Sequence, residues 1–146
     1  MSQALCWKFV CFAPGDCYES RMSKNPLDKK WYNQHPQSRP FSEGLRDGCY
    51  VYVEDIEGIV WVLPDFEPHL HVRVLGERKS ALYAGDFTIQ NGCVTNLTNC
   101  SGTFQFDDTD GLLRVAGRIR SAGVRIIPGA IRLFPYASEG RPRILR

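Results

Sequence analysis

Three polar side chains alternate with apolar ones in the segment HLHVRVL, residues 69–75. This two-residue period predicts a half-buried β-strand that carries His69, His71 and Arg73 on one face. Histidine exchanges protons near neutral pH, and the arginine fork binds carboxylates and phosphates. We therefore predict His71 as a candidate acid/base, and His69 and Arg73 as candidate binding residues.

Two histidines at this spacing can also hold a metal ion, with Asp86 or Asp65 as a third ligand. The alternative is a solvated polar face whose side chains make structural hydrogen bonds. We favour that alternative, because a motif alone does not establish a function. Asp86 is kept as a candidate binding residue, and neither a metal site nor a cofactor is predicted.

The segment Asn99-Cys100-Ser101-Gly102 is the second place where chemistry is conceivable. A small, polar, glycine-containing turn can present backbone N–H groups to an anion. Ser101 or Cys100 can act as a nucleophile only beside a base, for which His71 is the candidate. We predict Ser101 as a catalytic and Asn99 as a binding residue, while a tight turn between strands is the simpler interpretation.

Charge is distributed unevenly along the chain. The net formal charge is +3 over residues 1–46, −8 over residues 47–113 and +7 over residues 114–146, where all eight bases are arginines. An arginine-rich C-terminal third can meet a nucleotide, a nucleic acid or another anionic partner. It can also pair with the acidic middle of the same chain, and the near cancellation of the two charges favours this second interpretation.

Composition sets the class of protein. The chain has 146 residues, of which 43% are hydrophobic and 23% charged, and a net charge of +2, as expected for one globular domain. It contains no run of about 20 apolar residues, and its first apolar stretch lacks a basic n-region. We therefore expect a cytoplasmic protein with no membrane segment, whose six cysteines are reduced.

The hydrophobic pattern predicts an α+β fold: a mostly antiparallel β-sheet with one amphipathic helix packed on it. The helix is expected at 109–122, between acidic cap candidates and Gly123. Residues 1–146 form a single domain with a long polar loop at about 13–47. The expected strands are 4–12, a hairpin at 49–63, 69–75, a hairpin at 81–98 that turns at Asn91-Gly92, 103–106, and short strands after residue 123.

Two segments, HVRVLG (71–76) and ALYAGDFTIQNGCVTNLTNCSGTFQF (81–106), resemble a widespread module. It occurs in uncharacterised bacterial proteins, in some toxin-like bacterial chains and in the C-terminal region of plant IQ-motif calmodulin-binding proteins. Its pattern is a histidine before a Leu-Gly step, an A-G-[DE] strand, a glycine hairpin and an N-x-S-G-x-aromatic segment. The matching positions, which span about a third of the chain, are His71, Leu75, Gly76, Ala84, Gly85, Asp86, Gly92, Asn99, Ser101, Gly102 and Phe104.

The resemblance implies a fold more than a reaction. Thr103 stands where members of the module carry a histidine, so a role of that histidine does not transfer to this chain. Phe104 stands where tyrosine is common. The IQ segment is absent, so calmodulin is not inferred as a partner.

Three functions are consistent with these residues. The favoured one is a small intracellular binding module that recognises a protein partner or an anionic small molecule, because no established catalytic motif is present. The alternative is an enzyme for a nucleotide-like or phosphorylated substrate, with His71 as acid/base, Arg73 as anion clamp, and Asn99 and Ser101 positioning the substrate. The weakest is nucleic-acid binding through the arginine-rich end.

Overall fold

The computed structural model describes residues 23–68, 70–136 and 142–145. Its elements are β1 (Arg39–Pro40), β2 (Gly48–Asp55), β3 (Val60–Pro64), α1 (His71–Leu75), β4 (Ala81–Gln90), β5 (Cys93–Thr98), α2 (Thr109–Ser121), β6 (Ile131–Leu133) and β7 (Arg143–Leu145). The strands form one sheet in the order β1-β3-β2-β4-β5-β6-β7. All neighbouring strands are antiparallel except β5 and β6. The predicted α+β class with a mostly antiparallel sheet is confirmed.

Both predicted hairpins are present. Strands β2 and β3 pair around the turn at 56–59, and β4 and β5 pair around Asn91-Gly92. Asn91 and Gly92 both have positive φ, 53° and 75°, as the two-residue turn requires. The Asp47 carboxylate accepts hydrogen bonds from both of their backbone N–H groups, at 2.8 and 3.2 Å.

The predicted helix at 109–122 corresponds to α2. Asp108 is its N-cap and accepts a hydrogen bond from the Gly111 N–H at 2.8 Å, which satisfies one of the free donors of the first turn. Gly123 follows the helix with φ of 91°, a conformation that suits glycine. Its apolar residues at helical spacing are all buried: Leu112, Val115, Ala116 and Ile119. Neither helix in the described ranges is long and apolar enough to span a membrane.

Two strand predictions are wrong. The segment 71–75 is the one-turn helix α1, in which side chains two residues apart point in nearly opposite directions. Its apolar residues alternate because the helix is enclosed on more than one side, with Val72, Val74 and Leu75 all buried. Residues 103–106 form no strand: 103 and 104 lie in a bend and 105 and 106 are irregular, with Phe104 and Phe106 buried. Predicted strand 4–12 and His69 lie outside the described residues.

The described part of the long polar loop, 23–47, is held by backbone and side-chain contacts. The Val74 carbonyl of α1 accepts hydrogen bonds from Gln34 Nε2 at 3.1 Å and from Ser38 Oγ at 2.5 Å. Phe41 packs edge-on against Phe87 of β4, with 5.6 Å between ring centroids. Phe41 thus packs against the core, whereas Trp31 of the same loop is 61% exposed.

A close crossing of two chain segments occurs at Gly85. Strand β5 pairs with β4 as far as Leu97, and the next two residues pass directly over Gly85. A Cβ at Gly85 would overlap the carbonyl oxygen of Thr98 and lie 2.8 Å from Asn99 Cα. The buried Tyr52 hydroxyl donates to the same Thr98 oxygen at 2.7 Å. Glycine is needed here because any side chain would displace this crossing.

We expect Gly85→Ala to lower the free energy of unfolding by about 3 kcal/mol or more, because backbone atoms rather than a flexible side chain occupy the space of the new methyl group. The matched control is Gly117→Ala on α2, where a Cβ meets no atom within 4 Å. That change should raise the free energy of unfolding by about 0.5–1 kcal/mol through helix propensity. Urea unfolding of both variants measures the difference, and equal stabilities would contradict the crossing.

Candidate functional site

Polar side chains of β4, β5 and β6 line one surface of the sheet. We define the polar face as Asp86, Asn96, Thr98 and Arg132, all of which are partly or largely buried. Thr98 Oγ1 donates to Asp86 Oδ1 at 2.6 Å and accepts the backbone N–H of Cys100 at 3.0 Å. The Thr98 hydroxyl therefore links the Asp86 carboxyl group to the segment that leaves the sheet.

Arg132 is held in a defined direction by Asn96. Arg132 lies opposite Thr98 in the parallel β5–β6 register. Its Nε donates to Asn96 Oδ1 at 3.0 Å, and its Nη2 donates to the same oxygen. Among the described residues, no carboxylate lies within ion-pair distance of this guanidinium.

His71 reaches the sheet from the start of α1. Its Nε2 lies 2.7 Å from the Gly85 carbonyl oxygen, so this nitrogen carries the proton and donates. Burial lowers the pKa of His71 below its ordinary value, more than the Gly85 hydrogen bond and the charges of Asp86 and Asp65 raise it. His71 is therefore mainly uncharged near neutral pH, with Nδ1 as its remaining acceptor.

Asp86 and Cys100 also have shifted proton affinities. Burial raises the pKa of Asp86, against the opposing effects of the Thr98 hydrogen bond and the His71 charge. Burial likewise raises the pKa of the Cys100 thiol. A raised thiol pKa disfavours the reactive thiolate, so Cys100 is poorly suited to act as a nucleophile.

Asn99 organises the segment that follows β5. Its side chain is fully buried, and its Nδ2 donates to the carbonyl oxygens of Phe106 and Phe134 at 2.6 and 2.8 Å. Its Oδ1 accepts the Phe134 N–H at 2.7 Å. Because these bonds occupy both polar atoms, Asn99 joins two parts of the backbone and has little capacity left for a ligand.

Ser101 is likewise engaged in the turn. Its side chain is 5% exposed, and its Oγ accepts the Phe104 N–H at 3.2 Å. Its backbone N–H donates to the Tyr136 hydroxyl at 2.6 Å. These contacts support the tight-turn interpretation over the nucleophile, and nothing in the described geometry joins Ser101 to His71.

Arg73 lies away from the polar face, because α1 turns its side chain from that of His71. Arg73 Nη1 is 3.7 Å from Glu67 Oε1, and its Nε donates weakly to the Asn33 carbonyl at 3.5 Å. Of the predicted site residues, the structure thus brings together His71 and Asp86. It separates Arg73 from them, and Asn99 and Ser101 turn inward beside the site.

Asn96, Thr98 and Arg132 were not among the site residues predicted from the sequence. The alternation within β5 places Asn96 and Thr98 on one face and was a usable signal. No comparable signal existed for Arg132, because it joins them only through the parallel pairing of β6 with β5.

Two arginines of the C-terminal third pair with the acidic middle of the chain. Arg114 binds Glu54 through two nitrogens, with Nη2 2.7 Å from Oε1, and Arg118 Nε lies 2.9 Å from Oε2. Burial lowers the pKa of Arg114, but the hydrogen bond and charge of the fully buried Glu54 outweigh this and raise it. Both arginines thus pair with Glu54, Arg114 through two nitrogens and Arg118 through Nε alone.

The described residues contain no group of three or more His, Cys, Asp or Glu side chains that could hold a metal ion. Comparisons with protein families, with curated proteins and with solved structures find no match. The chemistry of the site therefore follows from its own groups. They are a fixed guanidinium at Arg132, a carboxyl group with raised pKa at Asp86 and an uncharged imidazole at His71.

We expect His71 to reduce stability as the pH falls below its ordinary pKa of about 6.5, because the folded state binds that proton less readily than the unfolded state. In His71→Gln, an amide N–H can still reach the Gly85 oxygen but no proton is taken up. The variant should lose less stability than the parent between about pH 7.5 and about pH 5 in urea unfolding.

His35→Gln is the matched control, because it removes a histidine that bonds to Gln37 rather than to Gly85. Asp86 contributes with the opposite sign, since its raised pKa favours proton uptake by the folded state. The comparison among variants therefore isolates His71. The same pH dependence in the parent and His71→Gln would contradict the pKa direction.

Proposed function

We propose that this protein is a binding module that recognises an anionic group of a small molecule, a phosphate or a carboxylate, at the polar face. The observation that carries the proposal is Arg132, a half-buried arginine held by an amide oxygen and left without a carboxylate partner among the described residues. An arginine positioned in this way is suited to bidentate recognition of planar or tetrahedral anions.

The donor inventory of Arg132 supports this role. A guanidinium has five N–H donors, and Asn96 Oδ1 receives one from Nε and one from Nη2. The remaining donors, including both on Nη1, have no hydrogen-bond partner among the residues that the structure describes. Because the fork is already oriented, an anion would lose less side-chain entropy on binding than at a free surface arginine.

A catalytic function has less support. Asn99 and Ser101 use their side chains within the turn, and burial keeps the Cys100 thiol protonated. His71 retains only Nδ1 for acid/base work, because Nε2 is bound to Gly85. Turnover of a nucleotide or another phosphorylated compound by the parent protein, lost in His71→Gln, would favour the enzyme alternative instead.

Two further proposals, an intracellular location and the packing of α2 on the sheet, rest on particular observations. Free thiols at Cys49, Cys93 and Cys100 support an intracellular location, where disulfides are rare. The Tyr83 hydroxyl bond to the Asp108 carbonyl, at 2.9 Å, supports packing of α2 against the sheet. The resemblance of the A-G-[DE] segment to the bacterial and plant module stays a prediction.

Arg132→Gln should weaken anion binding about 10-fold or more, because a charge-assisted hydrogen bond contributes about 1.5–3 kcal/mol. Calorimetric titration with sulfate and with adenosine 5′-monophosphate provides the measurement. Arg125→Gln, which removes an exposed arginine outside the polar face, is the matched control and should bind as the parent does. No binding by the parent, or equal affinities in the two variants, would refute the proposal.

Sulfate binding should strengthen as the pH falls toward the raised pKa of Asp86, because protonation of Asp86 removes a negative charge beside Arg132. Sulfate is used because its own charge is constant over this range. Asp86→Asn retains an acceptor for Thr98 and should flatten the pH dependence of the affinity. His71→Gln, measured in parallel, separates the smaller contribution of the imidazole, and an unchanged slope in Asp86→Asn would exclude Asp86 as its source.

A further inference from the structure

A cavity of about 440 Å³ lies on another part of the surface, between the β2–β3 turn, the end of α1 and the start of β4. This volume is in the range that small-molecule sites occupy. The residues that line it are Gln34, Asp55, Ile56, Glu57, Trp61, Leu75, Lys79 and Ser80. None of them belongs to the polar face.

One wall of the cavity is apolar and fixed. Trp61 on β3 donates its indole Nε1–H to Asp55 Oδ2 at 2.9 Å, which sets the orientation of the ring. Leu75 of α1 is buried, whereas Ile56 at the turn is 57% exposed. The indole and these aliphatic side chains offer a surface for a ring or a branched apolar group, with no need for the ring to turn.

Several polar lining groups are already used within the protein. Asp55 Oδ1 accepts the N–H groups of Glu57 and Ile59, both at 2.9 Å. Ser80 Oγ donates to Asn25 Oδ1, and Gln34 Nε2 donates to Val74. These groups shape the cavity. Its selectivity for a ligand therefore depends on the two remaining charged side chains.

The Glu57 carboxylate and the Lys79 ammonium are the charges left available. Neither side chain forms a hydrogen bond or ion pair with another described residue, and they do not pair with each other. Asp55 adds negative charge on the side of Glu57. The cavity thus presents separate negative and positive groups beside an apolar wall.

The backbone that carries Lys79 has an unusual conformation. Glu77 and Arg78 are consecutive non-glycine residues with φ of 56° and 53°. Such conformations cost roughly 1 kcal/mol or more each and persist where surrounding contacts impose them. Here the Glu77 N–H donates to the Tyr32 carbonyl at 2.7 Å, and the Lys79 N–H donates to Gly76 at 3.1 Å. The backbone position of Lys79 is therefore imposed by the fold.

We infer that this cavity binds a small zwitterion with an apolar side chain, in the manner of an aromatic α-amino acid. The ligand ammonium group pairs with Glu57 and with the field of Asp55, and its carboxylate pairs with Lys79. Its ring packs against Trp61 and Leu75. A ligand with both charges satisfies groups that the protein leaves unpaired, whereas a singly charged ligand satisfies only one.

Calorimetric titration with L-phenylalanine tests the inference directly. The parent should bind it saturably, and Lys79→Gln and Glu57→Gln should each weaken binding about 5-fold or more. Arg125→Gln and Glu43→Gln are the matched controls, because they make the same charge changes at residues that do not line the cavity. The controls should retain the parent affinity.

Two ligands that each lack one of the two charges identify the orientation of the bound ligand in the cavity. Phenethylamine has no carboxylate and should respond to Glu57→Gln but not to Lys79→Gln. Phenylpropionate has no ammonium group and should show the reverse pattern. Absence of saturable L-phenylalanine binding to the parent would overturn the inference, as would equal losses in the cavity variants and their controls. Sulfate binding at the polar face is independent of all of these outcomes.

Discussion

The passage of the chain over Gly85 is the contact on which the arrangement of the site depends. Because Gly85 has no side chain, the backbone at Thr98 and Asn99 can lie directly on β4. The crossing places the Thr98 carbonyl at the buried Tyr52 hydroxyl and the Thr98 side chain at Asp86. On the same residue, the Gly85 carbonyl holds the His71 ring. Strand β4, the end of β5, the following turn and helix α1 therefore meet at this one small residue.

The arginines of this protein differ in the groups that they bind. Glu54 is fully buried and is bound by both Arg114 and Arg118, so these arginines neutralise a charge inside the fold. Removing one member of such a group leaves the other charge buried and unpaired, which is costly. Arg132 differs, because a neutral amide orients it and its charge is not cancelled by an ion pair within the described residues. That contrast separates the two arginines that bind Glu54 from Arg132, which we propose as the recognition residue.

The polar residues around the turn after β5 also differ in whether other parts of the protein occupy their hydrogen-bonding groups. Asn99 and Ser101 were predicted as site residues from their chemistry. Both side chains form hydrogen bonds with backbone groups of the turn and of the segment around Phe134. They keep the chain in the path that follows the crossing. Asp86 and His71, which share the adjacent space, keep unsatisfied capacity and shifted pKa values, and these properties suit a site that responds to a ligand or to pH.

Local patterns in the sequence determined the two hairpins, the Asn91-Gly92 turn and helix α2 with its Asp108 cap, because neighbouring residues supply those signals. Residues 71–75 were wrongly predicted as part of a strand. Alternation of apolar residues does not distinguish a strand from a short helix that is enclosed on several sides. His71 and Asp86 were recognised as site candidates from their residue types. Only the tertiary structure decided that Arg132 joins them, because the parallel pairing of β6 with β5 links residues 34 positions apart. It also decided that Arg73 points elsewhere, since side-chain direction depends on whether the backbone is helical or extended.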